Sequence, residues 1–101
     1  MVLKFTTADF QKEVLESDIP VLVDFYADWC GPCKMLSPVL ESFEKDNSSI
    51  KVIKINTDNF MELAKEYGIM SIPAIKYFVD GKLVKESVGY MSKDELEDFV
   101  K

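Results

Sequence analysis

The chain is expected to adopt an α/β fold, a central mixed five-stranded sheet flanked by four helices in the order βαβαβαββα, and three observations lead there. Apolar strand-like runs alternate with amphipathic helix-like segments from end to end, with no linker, low-complexity tract or internal repeat, so residues 1–101 read as a single domain. One run, Pro20 to Ala27, is apolar on both faces apart from Asp24 and Tyr26, the pattern of a strand covered by helices on either side. Late in the chain, Asp80-Gly81 separates two strand-like runs and marks a tight hairpin. With 48% apolar residues, a chain of 101 residues can bury roughly 60–70% of its unfolded surface, so it needs no covalent staple.

Each element follows from its residues. Val2 to Phe5 reads as a short first strand, and Thr7 to Leu15 as a helix with Thr7 or Asp9 as its cap. Pro20 to Ala27 is the second strand. Gly31 to Lys45 is a long helix with Pro32 in its first turn, where a missing N–H costs nothing, and with Pro38 interrupting its hydrogen-bond ladder. Ile50 to Asn56 is the third strand, and Phe60 to Tyr67 a helix stopped by Gly68. Ala74 to Val79 and Lys82 to Val88 are the arms of the hairpin. Ser92 to Val100 closes the chain as a helix opened by a capping box of Ser92 and Glu95.

Composition excludes several functions. Twelve basic against 18 acidic residues give a net charge of −6, which disfavours nucleic acid and anionic membrane surfaces as partners. No apolar run approaches the ~18 residues of a membrane span, and the first residues lack the apolar core of a secretion signal, so a cytoplasmic protein is expected. Asn47-Ser48-Ser49 matches a glycosylation sequon only by its three letters. There is no glycine-rich nucleotide loop, and no cofactor is expected.

Chemistry concentrates in Ala27-Asp28-Trp29-Cys30-Gly31-Pro32-Cys33-Lys34, which holds the chain's two cysteines. A spacing of three places both sulfurs on one face of a first helical turn, within reach of a disulfide. Closing so short a loop removes little entropy from the unfolded chain, so the pair is better explained by reactivity than by stability. Cys30, at the helix start, is the expected attacking sulfur, since exposed N–H groups and the helix dipole favour a thiolate, and Lys34 adds positive charge. Cys33, a turn deeper and more shielded, fits the resolving role. Two inert core thiols are the plain alternative. A metal site is another: with no histidine, the cysteines supply only half of a tetrahedral zinc shell, and no bound metal is expected.

Asp24 interrupts the most apolar strand, where desolvation should raise its pKa. Alternation puts it on one face with Leu22 and Tyr26. It reads either as a proton acceptor or as a structural hydrogen-bond acceptor.

Trp-Cys-Gly-Pro-Cys-Lys resembles the active-site motif of the thioredoxin family, and so do Val23-Asp24-Phe25-Tyr26-Ala27, Ile72-Pro73 and Val88-Gly89, so the likeness spans nearly the whole chain. The resemblance implies a thioredoxin fold and a protein-disulfide reductase. Its partners would be disulfide-containing proteins and a thioredoxin reductase that restores the dithiol, and it would act as a monomer. Asp24 would lie beneath Cys33 and help deprotonate it, and Lys54 would neighbour and tune Asp24, unless it is merely an exposed strand lysine. The Ile72-Pro73 bond would be cis and face the site, in place of an ordinary strand-start proline, so that the Ile72 backbone could pair with an extended substrate. Trp29, Gly31, Pro32, Ile72, Pro73 and Gly89 would then form the substrate-binding rim, with simple core packing as the plain alternative for Trp29. Oxidases and isomerases of the superfamily typically carry histidine between the cysteines; Gly31-Pro32 points instead to a reductant. A scaffold with no cysteine chemistry is the remaining alternative. Tyr90, where alanine is common, and Met70-Ser71, where a basic residue or glycine is frequent, depart from the family pattern and bear on partner preference. Met35, Met61 and Met91 read as core or surface filler.

Overall fold

The computed structural model describes residues 7–101; the expected strand Val2–Phe5 and the side chain of Thr7 lie outside the described residues. The chain runs through α1 (Thr7–Phe10), which continues as a π-helical turn (Gln11–Leu15), then β1 (Val21–Tyr26), α2 (Gly31–Asp46), β2 (Lys51–Asn56) and α3 (Met61–Glu66). The hairpin β3 (Ala74–Val79) and β4 (Lys82–Val88) follows, and α4 (Lys93–Phe99) ends it. Among the described residues the sheet has four strands in the order β2-β1-β3-β4, with β1 parallel to β2 and antiparallel to β3. It is a mixed sheet as expected, and the expected fifth strand falls on residues outside those described.

The two-faced apolar character of β1 has a direct structural cause. Val21, Val23 and Phe25 pack with Ile53, Ile55 and Phe78 against Phe10, Val14 and Leu63 of the α1 and α3 layer. Leu22, with Val52, Ile75 and Tyr77, meets Leu36, Leu40 and Phe43 of α2 and Leu96 of α4 on the other side. Burying each such side chain contributes roughly 1.5–3 kcal/mol, so β1 is fixed from both layers and is a rigid base for whatever follows it. The buried residues of α2 fall at helical spacing, which turns the stripe that begins at Cys33 toward the sheet.

Local signals are realised with two differences. The Ser92–Glu95 capping box is complete, with Glu95 N–H donating to Ser92 Oγ and Ser92 N–H to Glu95 Oε1. At the end of α3, Gly68 N–H donates to Lys65 O and Ile69 N–H to Ala64 O, the pairing that closes a helix at glycine. Asn47 of the sequon is already engaged: its side-chain amide donates to Phe43 O at 2.9 Å and to Glu97 Oε2 at 3.1 Å, tying α2 to α4. The first difference is at Asp9, which lies in the first turn of α1 rather than capping it, where a carboxylate suits the positive end of the helix. The second is the π-helical turn, where Glu16 N–H donates to Gln11 O five residues back. Both Phe10 and Val14 are buried, so the apolar face is kept while the ladder widens.

That turn is met by the hairpin. Asp80 and Gly81 both take positive φ, 53° and 78°, as a two-residue hairpin loop of this twist requires. A Cβ on Gly81 would stand 2.4 Å from Leu15 O, so the loop tip seats directly on the carbonyl that ends the first helix. Gly81→Ala is therefore expected to destabilise the protein by more than about 1 kcal/mol, through both strained backbone and steric conflict. Urea denaturation of the two proteins checks it.

Candidate active site

The β1 to α2 connection presents the two sulfurs. β1 is anchored on both faces as far as Phe25, and the chain then turns, with Cys30 N–H donating to Ala27 O at 3.2 Å. Cys30 is the N-cap of α2 in an extended conformation, and its Sγ accepts the Cys33 N–H at 3.2 Å. Pro32 occupies the first helical turn as expected. Cys30 and Cys33 are joined by a disulfide, with Cα atoms 5.2 Å apart. Both are buried, 5% and 3% exposed, so the expected difference in shielding is small. What distinguishes them is position: Cys30 Sγ receives a backbone N–H at the positive end of α2, and Cys33 faces inward along it.

Around the sulfurs lies an apolar rim drawn from separate parts of the chain. Ala27, Tyr26 and Ile72 pack on the cysteines, and Ile72 O lies 3.8 Å from Cys30 Sγ. The Ile72-Pro73 peptide bond is cis, and Pro73 O accepts the Gly89 N–H at 2.8 Å, which brings the end of β4 to the same rim. Gly31 and Gly89 have no heavy atom within 4 Å of an added Cβ, so both border open space. Trp29 is 71% exposed and thus no core residue; its Nε1–H donates to Asp58 Oδ2 at 2.9 Å. Trp29 and Ile72 line a shallow hollow with Thr57, Ala64, Ile69 and Met70, the last 95% exposed.

β1 carries a polar group on the face that Leu22 and Tyr26 share. Asp24 is fully buried, and neither carboxyl oxygen meets a hydrogen-bond donor of the chain among the described residues. It lies on the face of β1 between Leu22, under α2, and Tyr26, which packs on the cysteines. Burial pushes its carboxyl up to about 7, against the opposing pull of the Lys54 ammonium. Lys54 stands directly opposite Asp24 in the β1–β2 register. It is not a free strand lysine: Nζ donates to Ser37 Oγ at 2.9 Å and lies 4.5 Å from the Tyr26 ring centre. An open cavity of about 450 Å³ reaches Lys54 from outside, lined by Cys33, Lys34 and Ser37 of α2 with Tyr26, Ala27, Asp28 and Lys54.

The sequence-derived residues thus fall into two groups. Ile72 packs on the cysteines, Trp29, Gly31 and Pro32 are exposed nearby in the chain, Gly89 is tied in through its bond to Pro73, and Lys54, opposite Asp24 in register, shares a cavity with Cys33. Sequence reasoning missed Ser37 and Asp58. Ser37 had a signal, since it follows Cys33 by four residues and so shares its helix face. Asp58 had none beyond being an acid after the third strand.

Comparison with known proteins agrees with this geometry. The family model described as Thioredoxin matches residues 1–101. A thioredoxin of Rickettsia felis is 46% identical over 101 residues, spanning 99% of this chain and 96% of the relative. One from Porphyra purpurea is 50% identical over 97 residues, spanning 95% and 91%. Thioredoxin 1 of Synechococcus elongatus is 50% identical over 92 residues, spanning 90% and 86%.

Proposed function

From the premise that the chain belongs to the thioredoxin family and is a thiol–disulfide oxidoreductase that reduces protein disulfides, we propose how its residues divide the work. The Cys30 thiolate attacks one sulfur of a substrate disulfide; that S–S bond breaks, the other substrate sulfur leaves as a thiolate that takes a proton from solvent, and a mixed disulfide forms. Cys33 gives its proton to Asp24 and attacks Cys30 Sγ, expelling the second substrate thiol. Two electrons have passed to the substrate, and Cys30 and Cys33 are left joined. Lys54, opposite Asp24, sets how readily that carboxyl holds the proton.

The rim supplies docking. The exposed Trp29 and the Ile72-Pro73 segment beside Cys30 suit an extended apolar stretch flanking the substrate disulfide, and the open ground at Gly31 and Gly89, beside Pro32, admits its backbone. Reduction of the spent disulfide falls to a thioredoxin reductase, which makes the chain an electron carrier between that enzyme and its protein substrates. Every residue named belongs to one chain, so a monomer suffices. A cytoplasmic setting fits a chain whose two cysteines are both spent on the redox pair. Among the described residues no helix is long and apolar enough to cross a membrane.

The observation that carries this reading is a cysteine pair joined at the N-terminus of α2, and a buried carboxyl on the adjoining strand supports the division of roles. The test is insulin reduction followed by turbidity, with a thioredoxin reductase and its electron donor. Catalytic amounts of the chain should drive precipitation over many turnovers. Precipitation no faster than with reductase alone contradicts the recycling step.

A further inference from the structure

Two facts about the cavity behind Cys33 belong together. The Asp24 carboxyl is buried with both oxygens unpartnered, and the ammonium opposite it in the strand register is bonded elsewhere, to Ser37 Oγ at 2.9 Å. A lysine facing an unpaired carboxyl across adjacent strands would ordinarily close on it. Here α2 supplies a competing acceptor, from the residue one helical turn beyond the resolving cysteine. The Tyr26 ring, 4.5 Å from Nζ, supports the ammonium in the same place.

We propose that Ser37 is a positioning residue for the resolving step: by accepting the Lys54 ammonium it keeps that charge off Asp24, so that the carboxyl remains a base able to take the Cys33 proton. The inference rests on Asp24 being that proton acceptor. An ammonium moved into hydrogen-bond contact would stabilise the carboxylate and weaken it as a base. Ser37 therefore holds Lys54 near enough to attract the charge and too far to quench it. The other ionisable groups on this side are Tyr26 of β1, Asp28 in the following turn, and Cys33 and Lys34 of α2. β3 places the apolar Ile75 opposite Asp24, with Tyr77 two residues further, and α4 contributes the apolar Leu96.

The experiment is a carbon-13 NMR titration of the Asp24 carboxyl in the oxidised protein, paired with stopped-flow measurement of mixed-disulfide resolution against pH. Ser37→Ala removes the acceptor, and alanine is a better helix former than serine, so the fold should be retained. Its Asp24 midpoint is expected to fall by about 1 pH unit or more, with the acid limb of the resolution profile moving the same way, and Ser37→Thr should restore both. A Ser37→Ala midpoint that stays or rises, while Asp24→Asn is slow, overturns the assignment to Ser37 alone. Wild-type resolution rates in Asp24→Asn overturn the proton-acceptor reading and this inference with it.

Discussion

Serine in place of Cys30 is expected to lower disulfide reduction by about 10³-fold or more, to the background rate, because the group that breaks the substrate bond is gone. Serine in place of Cys33 should have a different result: attack proceeds once and the substrate stays attached through Cys30. The two residues are almost equally buried, so burial alone does not choose between them. Electrostatics does. Cys30 Sγ caps α2 and receives the Cys33 N–H, whereas Cys33 lies within the helix and lines the cavity that Lys54 also lines. A free thiol with a pKa near about 8.5 is only a few per cent ionised at neutral pH, and helix N-termini lower that value. Non-reducing gels and mass spectrometry of the adducts decide the order. An adduct through Cys33 in the Cys30→Ser protein, with none through Cys30 in the Cys33→Ser protein, would reverse the two roles.

The features legible in the sequence were those whose cause is local or periodic. β1 announced itself because both its faces are covered, so alternation gave way to a continuous apolar run. The hairpin followed from Asp80-Gly81, whose backbone angles few other pairs adopt, and α4 from a cap that Ser92 and Glu95 complete within four residues. The features not legible depend on which element packs against which. Phe10 and Val14 satisfy an α-helical and a π-helical turn equally, so pattern could not separate them. Lys76 shares its strand face with Ala74 and Phe78, yet is buried because Glu86 stands opposite in register and meets its ammonium. Ser37 and Asp58 gain their roles only when α2 lies over β2 and when Trp29 turns outward. Trp29 itself was open to two readings, since an indole serves a core or a docking surface, and only exposure separates them.

Asp24→Ala should make the oxidised protein more stable as pH rises and the reduced protein slower to release its product. The carboxyl titrates at about 7 when folded, against 3.8 for an exposed aspartate. Between these the native state holds a proton that the unfolded chain has lost, so wild-type stability from this group is full below the lower value and is lost as pH climbs through the upper one. The whole cost above pH 7 is on the order of 4 kcal/mol. With the disulfide intact no thiol titrates, and the other ionisable groups are common to both proteins. The stability difference between variant and wild type should therefore grow in the variant's favour by that amount from about pH 4 to about pH 8, read by urea denaturation at each pH. A difference independent of pH would mean that Asp24 titrates as an ordinary exposed acid. In the proposed mechanism, loss of the same carboxyl removes the acceptor for the Cys33 proton, with an expected slowing of about 10²-fold or more. Wild-type resolution should rise as Asp24 ionises through about pH 7, whereas the variant should follow only the ionisation of its own thiol. A stabilised variant that resolves mixed disulfides as fast as wild type would separate the two effects and leave Asp24 a buried charge without a catalytic part.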